Sequence, residues 1–125
     1  MTNISRNLVA ILQVGVCYII IASAQALWKL GVIKLGGTAK FTFSVLPRYI
    51  SSWYFLLGAG LYVIATGLWI YILSRYEFNL VYPMNALGYI FAVFLSLWLF
   101  GESIPWNRYV GVGVIIIGVI ILALK

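Results

Sequence analysis

Histidine and aspartate are missing from this sequence, and acid of any kind is scarce. The 125 residues carry two glutamates against eight Lys and Arg, and a single cysteine. Each shortage removes a class of chemistry. One chain of this composition cannot assemble a His-based or multi-Cys metal site, a Ser-His-Asp triad or a Cys-His dyad. Acid–base residues are so few that a membrane enzyme is the least expected reading, and no cofactor or metal is expected. Cys17 has no intrachain partner for a disulfide and reports nothing about redox compartment. Charge itself is rare, at 8% of residues, where soluble domains carry about a quarter.

What fills the space is apolar. Hydrophobic residues make up 65% of the chain and the mean hydropathy is +1.11, so there are too few polar groups to cover a water-facing surface. The formal charge of +6 would suggest nucleic acid in a soluble protein. Here the cations stand singly along apolar sequence, which points to anionic membrane lipids and not to nucleic acid.

Charges divide the chain into four uncharged runs, 7–28, 49–74, 78–101 and 109–124. A bilayer core of about 30 Å takes roughly 20 helical residues. Three runs meet that directly, and the fourth does so if Trp106, Asn107 and Arg108 form its first turn. The expectation is an all-α membrane protein, a single four-helix bundle over residues 1–125, with helices near 7–30, 53–74, 79–100 and 106–124. Barrel strands would alternate polar and apolar residues, and these runs do not. The connection 31–52, with Gly36-Gly37, Lys34, Lys40, Pro47 and Arg48, has room for an interfacial segment. Trp28, Tyr49, Trp53, Tyr54, Tyr76, Trp98, Trp106 and Tyr109 fall near helix ends, as in an aromatic belt. Ala22-Ser23-Ala24 has the form of a signal-peptidase site, but small residues inside a membrane helix more often serve close packing. Loop cations favour cytoplasmic first and third loops by a narrow margin, leaving single or dual orientation open.

Polar side chains within the spans are costly and therefore mark candidate sites. Tyr18, Ala22, Gln25 and Lys29 share one face of the first helix. Gln25 and Lys29 can together grip an anion, or serve as interhelical glue and a snorkelling boundary lysine. Tyr82, Asn85 and Tyr89, with Ser96 further on, make a stripe suited to a sugar or an organic cation, or else interface tyrosines with one packing amide. Pro83 in this helix either occupies a tolerant first turn or bends it. Tyr62, Thr66 and Trp69 form a weaker stripe on the second helix. Gly111 and Gly118, seven apart, share a face of the last helix where another helix can approach, from this chain or a second. Neither glutamate is mid-span: Glu77 follows Arg75 in a loop, and Glu102 lies in the turn before the last helix. No buried proton carrier is evident.

Several of these residues match a known pattern. Val81-Tyr82-Pro83-Met84-Asn85-Ala86-Leu87 resembles the A-Y-P segment of the drug/metabolite transporter superfamily. Gly101-Glu102 followed by Gly111 through Gly118 is similar to its EamA-like G-E ending. Four helices in this length is the small multidrug resistance architecture, in which a glycine pair like Gly111 and Gly118 joins two chains. Aligning Leu27-Trp28-Lys29 with the L-M-K of those exporters sets Ile21 where they carry a membrane glutamate, which argues against their proton-driven mechanism here. Ala24-Gln25-Ala26-Leu27-Trp28-Lys29 looks more like the G-Q-L-x-x-K segment of the ArnE/ArnF-type flippase subunits for undecaprenyl-phosphate-aminoarabinose.

That resemblance implies a multi-pass protein of the cytoplasmic membrane that translocates a polyprenyl-phosphate-linked sugar or similar lipid-linked anion. Lys29 and Gln25 would hold the phosphate, while Tyr82, Asn85, Tyr89 and Tyr18 would line the headgroup path. Glu102, Gly111 and Gly118 would hold the bundle and a similar small subunit, as a homo- or heterodimer. Two other readings stay open: a small-multidrug-type exporter of cations, and a non-transporting accessory subunit of a membrane glycosyltransferase.

Overall fold

A computed structural model describes residues 3–35, 43–44 and 46–124. The loop residues Gly36, Gly37 and Lys40 and the terminal Lys125 lie outside the described residues. The chain runs as α1 (Asn3–Lys34), a short α2 (Leu46–Ile50), α3 (Trp53–Arg75), α4 (Phe78–Val81), a 3₁₀ turn (Pro83–Ala86), α5 (Leu87–Leu99) and α6 (Trp106–Ala123). No strand occurs among the described residues. Four segments are long and apolar enough to cross a membrane: α1, α3, the combined stretch Phe78–Leu99, and α6. This is a multi-pass, all-helical membrane protein.

α1 is longer than expected at both ends. Its 32 residues rise about 48 Å at 1.5 Å each, more than the hydrocarbon layer spans, so its ends project beyond it. The continuation past residue 30 is held by Gly31, where a Cβ would come within 2.9 Å of Tyr54 Cβ and 3.1 Å of the Tyr49 ring. α2 lies in the first loop, where an interfacial segment was expected, and anchors back onto the bundle. Its Tyr49 is buried and donates to the Trp28 carbonyl at 2.9 Å.

Lipid tails are as apolar as leucine, so helices in a bilayer associate by close packing and buried polar bonds, not by hydrophobic exclusion. The α1–α3 contact shows both. Ala10 and Ala24 are buried on α1, and α3 comes near enough that Gly58 faces Ala24 O, where an added Cβ would sit 3.0 Å from it. Cys17 donates its thiol to the Ala65 carbonyl at 3.3 Å. Of the two alanines read above as one form of a cleavage site, Ala24 sits in this helix–helix contact and Ala22 lines the cleft on the other side of α1. Large apolar side chains such as Leu56, Val63, Ile64, Phe94, Val114 and Ile121 point outward, which suits a hydrocarbon surround.

Trp28 and Tyr49, two of the eight aromatics near helix ends, pack against α3. Trp28 stacks between Phe55 and Tyr62, with both centroid distances 5.6 Å, and its indole N–H donates to Phe55 O at 3.2 Å. Tyr49 packs edge-on against Phe55 at 5.5 Å. Their neighbours on α3 supply ring faces and a carbonyl, and sequence position alone does not show such partners. Tyr62, Thr66 and Trp69 are likewise accounted for by packing. Tyr62 stacks on Trp28, Thr66 bonds back to Tyr62 O, and Trp69 meets the Tyr18 ring edge-on at 6.1 Å.

Gly58 is the tightest of these approaches, since a Cβ there would lie 2.4 Å from Trp28 Nε1. Gly58→Ala is expected to displace Trp28 and destabilise the bundle by about 1–3 kcal/mol, the usual range for overpacking. Thermal unfolding in detergent should show the drop, while Gly60→Ala, which has open space around it, should show little change.

Candidate functional site

The third span is interrupted where the Tyr82-Pro83 motif falls. Proline lacks an N–H and its ring clashes with the carbonyl four residues earlier, so α4 ends at Val81 and the chain tightens into a 3₁₀ turn. Pro83 takes the first turn of this 3₁₀ segment, and the backbone stays right-handed helical on both sides, at Tyr82 and Ala86, so the span changes its hydrogen-bond pattern there without ending. Asn85 N–H bonds to Tyr82 O at 3.1 Å, and α5 begins at Leu87. Gly88 then lets α5 approach α1, where a Cβ would come within 3.0 Å of the Tyr18 ring.

This segment lines one side of a half-open cleft of about 970 Å³ bounded by α1, the third span and α6. Tyr18, Gln25, Lys29, Tyr82, Asn85 and Tyr89, picked out from two separate stripes, all line it. Asn85 Oδ1 is buried there without a hydrogen-bond partner, an acceptor available to a donor within the cleft. Ile21 also faces the cleft, so the position aligned with an exporter carboxylate is occupied by an apolar side chain.

The charged end of the cleft depends on how α5 stops. Gly101 adopts φ +58°, the left-handed conformation that glycine enters without penalty. The chain turns back, Glu102 N–H reaches Ser96 O at 3.2 Å, and the Glu102 carboxylate accepts from the Ser96 hydroxyl. Its other oxygen accepts from Lys29 Nζ in an ion pair. The ammonium also lies 4.4 Å from the centroid of the Phe100 ring. Arg108 at the start of α6 lines the same end. Glu102 thereby ties α1 to the end of α5 and is a wall of the cleft as well.

Sequence reasoning placed Glu102 among the structural residues and did not select Arg108 or Phe100. The available signal was that both loop-end charges and Lys29 belong to the same side of a four-span bundle. Gly111 lines the cleft, and Gly111, Gly113 and Gly118 have nothing within 4 Å of a built Cβ. Packing within the described chain therefore does not require glycine at these positions. Among the described residues, no group of three His, Cys, Asp or Glu side chains gathers to hold a metal ion.

Four apolar spans around a cleft with charge at one end define a small integral membrane protein with an internal polar site. Comparison of its sequence with known proteins narrows that class: the chain belongs to the ArnE family. It is 33% identical over 84 residues to the probable 4-amino-4-deoxy-L-arabinose-phosphoundecaprenol flippase subunit ArnE of Pseudomonas fluorescens, covering 64% of this chain and 69% of that protein. Proteins of the same name from Aeromonas salmonicida and Aeromonas hydrophila are 35% identical over 66 residues and 36% over 55. Those two matches span about half of each relative, 54% and 48%, and cover 53% and 44% of this chain. No protein-family model matches the chain, and no solved structure does.

The Lys29 and Ser96 donors hold the Glu102 carboxyl below its ordinary value of 4.5, with Arg108 adding a smaller effect. A carboxyl lowered on folding contributes its tie above the ordinary value and loses it as pH falls through the lowered one. An infrared titration of the labelled Glu102 carboxylate should therefore give a midpoint below 4.5. Lys29→Met should move that midpoint upward.

Proposed function

We infer that the protein is a flippase subunit that carries a polyprenyl-phosphate-linked sugar across the cytoplasmic membrane. The observation that carries this reading is the single cleft joining Lys29 and Gln25 to Tyr82, Asn85 and Tyr89. An anion-binding end followed by rings and an unpartnered amide oxygen matches a headgroup with phosphate first and hydroxyl-rich sugar beyond. The relatives' names specify a lipid-linked sugar of that kind. Because the cleft is half open, the prenyl tail stays in lipid while the head passes. Withdrawing the tail would cost about 0.8 kcal/mol per CH₂.

In this mechanism Lys29 supplies charge and Gln25 directional hydrogen bonds to phosphate oxygens, and Tyr18, Tyr82 and Tyr89 give ring faces and hydroxyls to the sugar. The Pro83 break leaves a short helix that can shift against α5 without unfolding the span, as 3₁₀ interruptions often permit. No step requires a bond to be made or broken, so the subunit acts as a carrier and not as an enzyme.

A second four-helix chain of the same kind completes the pathway. The exposed Gly111 and Gly118 face of α6 is where it docks, since small residues there let helix backbones meet. The relatives are themselves named as subunits.

Headgroup accessibility in proteoliposomes holding the chain with its partner tests the carrier role. Lys29→Ala with Gln25→Ala should slow flipping at least tenfold, and an unchanged rate would eliminate the phosphate site. Separately, Gly118→Leu should reduce cross-linking of the two chains in the membrane severalfold, whereas Gly67→Leu, on another helix and with open space around it, should leave it unchanged.

A further inference from the structure

The Lys29 ammonium is already engaged. It donates to Glu102, lies against the face of Phe100, and the Ser96 hydroxyl fixes the other carboxylate oxygen. A carboxylate beside a ring face, opening onto a cleft, is general chemistry for holding an organic ammonium. Here the ammonium held belongs to the protein itself.

That arrangement constrains what can bind. A phosphate entering this end draws Lys29 toward itself and leaves Glu102 facing a negative ligand without its counter-ion, which is unfavourable beside an apolar bundle. A headgroup with phosphate and no cation works against Glu102. A headgroup that also carries an ammonium resolves the conflict, because two ion pairs replace one.

We propose that Glu102, with Phe100, is the receptor for a positively charged amino group on the sugar, and that Lys29 is its resident surrogate. When a zwitterionic headgroup binds, the phosphate takes Lys29 and the sugar ammonium takes its place on Glu102. This rests on the phosphate reading of Lys29 given above; the amino sugar is already in the relatives' names, and what is added is the residue pair that recognises its nitrogen.

The exchange is physically accessible. The two side chains are 48% and 43% exposed, and ion pairs exposed to that degree contribute little stability and open readily. Ser96 and the Glu102 backbone bond hold the carboxylate in place when Lys29 departs. Arg108 at the same end provides a second cation for the phosphate, so Lys29 need not satisfy both oxygens alone.

The test measures binding of the full chain in nanodiscs to two synthetic probes, a short prenyl phosphate bearing a 4-aminopentose and its 4-hydroxy counterpart. The amino probe should bind at least tenfold more tightly, and acetylating its nitrogen should abolish the advantage. Glu102→Gln should bring the ratio within twofold, while Glu102→Asp, which keeps the charge, should retain more of it. A wild-type ratio within twofold, or a tenfold ratio that persists in Glu102→Gln, overturns the proposal. The phosphate reading survives either result provided Lys29→Ala still weakens both probes. If Lys29→Ala weakens neither, that reading fails and the proposal fails with it. Should Glu102→Gln not fold, Phe100→Leu decides the matter: it should lower the ratio severalfold, and an unchanged ratio overturns the proposal.

Discussion

Two helices that start far apart in sequence are joined at one end by the carboxylate of Glu102. It accepts from Lys29 on α1 and from Ser96 on α5, and its own N–H closes onto the Ser96 carbonyl. The tie requires Gly101, whose left-handed backbone turns the chain so that residue 102 comes back over the helix end. Charge, hydroxyl and backbone are thus satisfied together at the boundary of an apolar bundle, where an unpaired ion would be costly. The Gly-Glu pair is consequently a helix stop and a cleft wall in one device.

The rest of the architecture follows from packing without hydrophobic exclusion. α1 presents alanines to α3 and meets it closely enough that Gly58 lies against the Trp28 indole. Its other face, with Tyr18, Gln25 and Lys29, opens onto the cleft, which the Pro83 segment and α6 also line. One helix therefore carries both the tight contact and the polar site, and its two faces differ in polarity. The proposed carrier mechanism uses this asymmetry. The closely packed α1–α3 pair would hold the phosphate end while the interrupted third span accommodates the sugar.

Much of the candidate site was legible in the sequence. Lys29, Gln25 and Tyr18 share a face by helical periodicity alone, and so do Tyr82, Asn85 and Tyr89. Periodicity does not say that the two faces meet, and the structure brings them into one cleft. It says still less about residues at loop ends. Phe100 and Arg108 join the candidate site because a turn carries them there, and Trp28 and Tyr49 pack on α3 because it offers ring faces and a carbonyl within reach. The α6 glycines were open to two explanations, and the empty space around their built Cβ positions removes packing within the described chain as one of them.

By itself, the sequence determined that this is a four-span, all-helical membrane protein, because apolar runs of bilayer length bounded by charge permit little else. It also determined which polar side chains lie on common faces, since that follows from 3.6 residues per turn. Tertiary structure decided that those faces enclose one cleft and that Lys29 is paired with Glu102. An ion pair across 73 residues depends on where two helix ends meet, and no local pattern encodes that meeting.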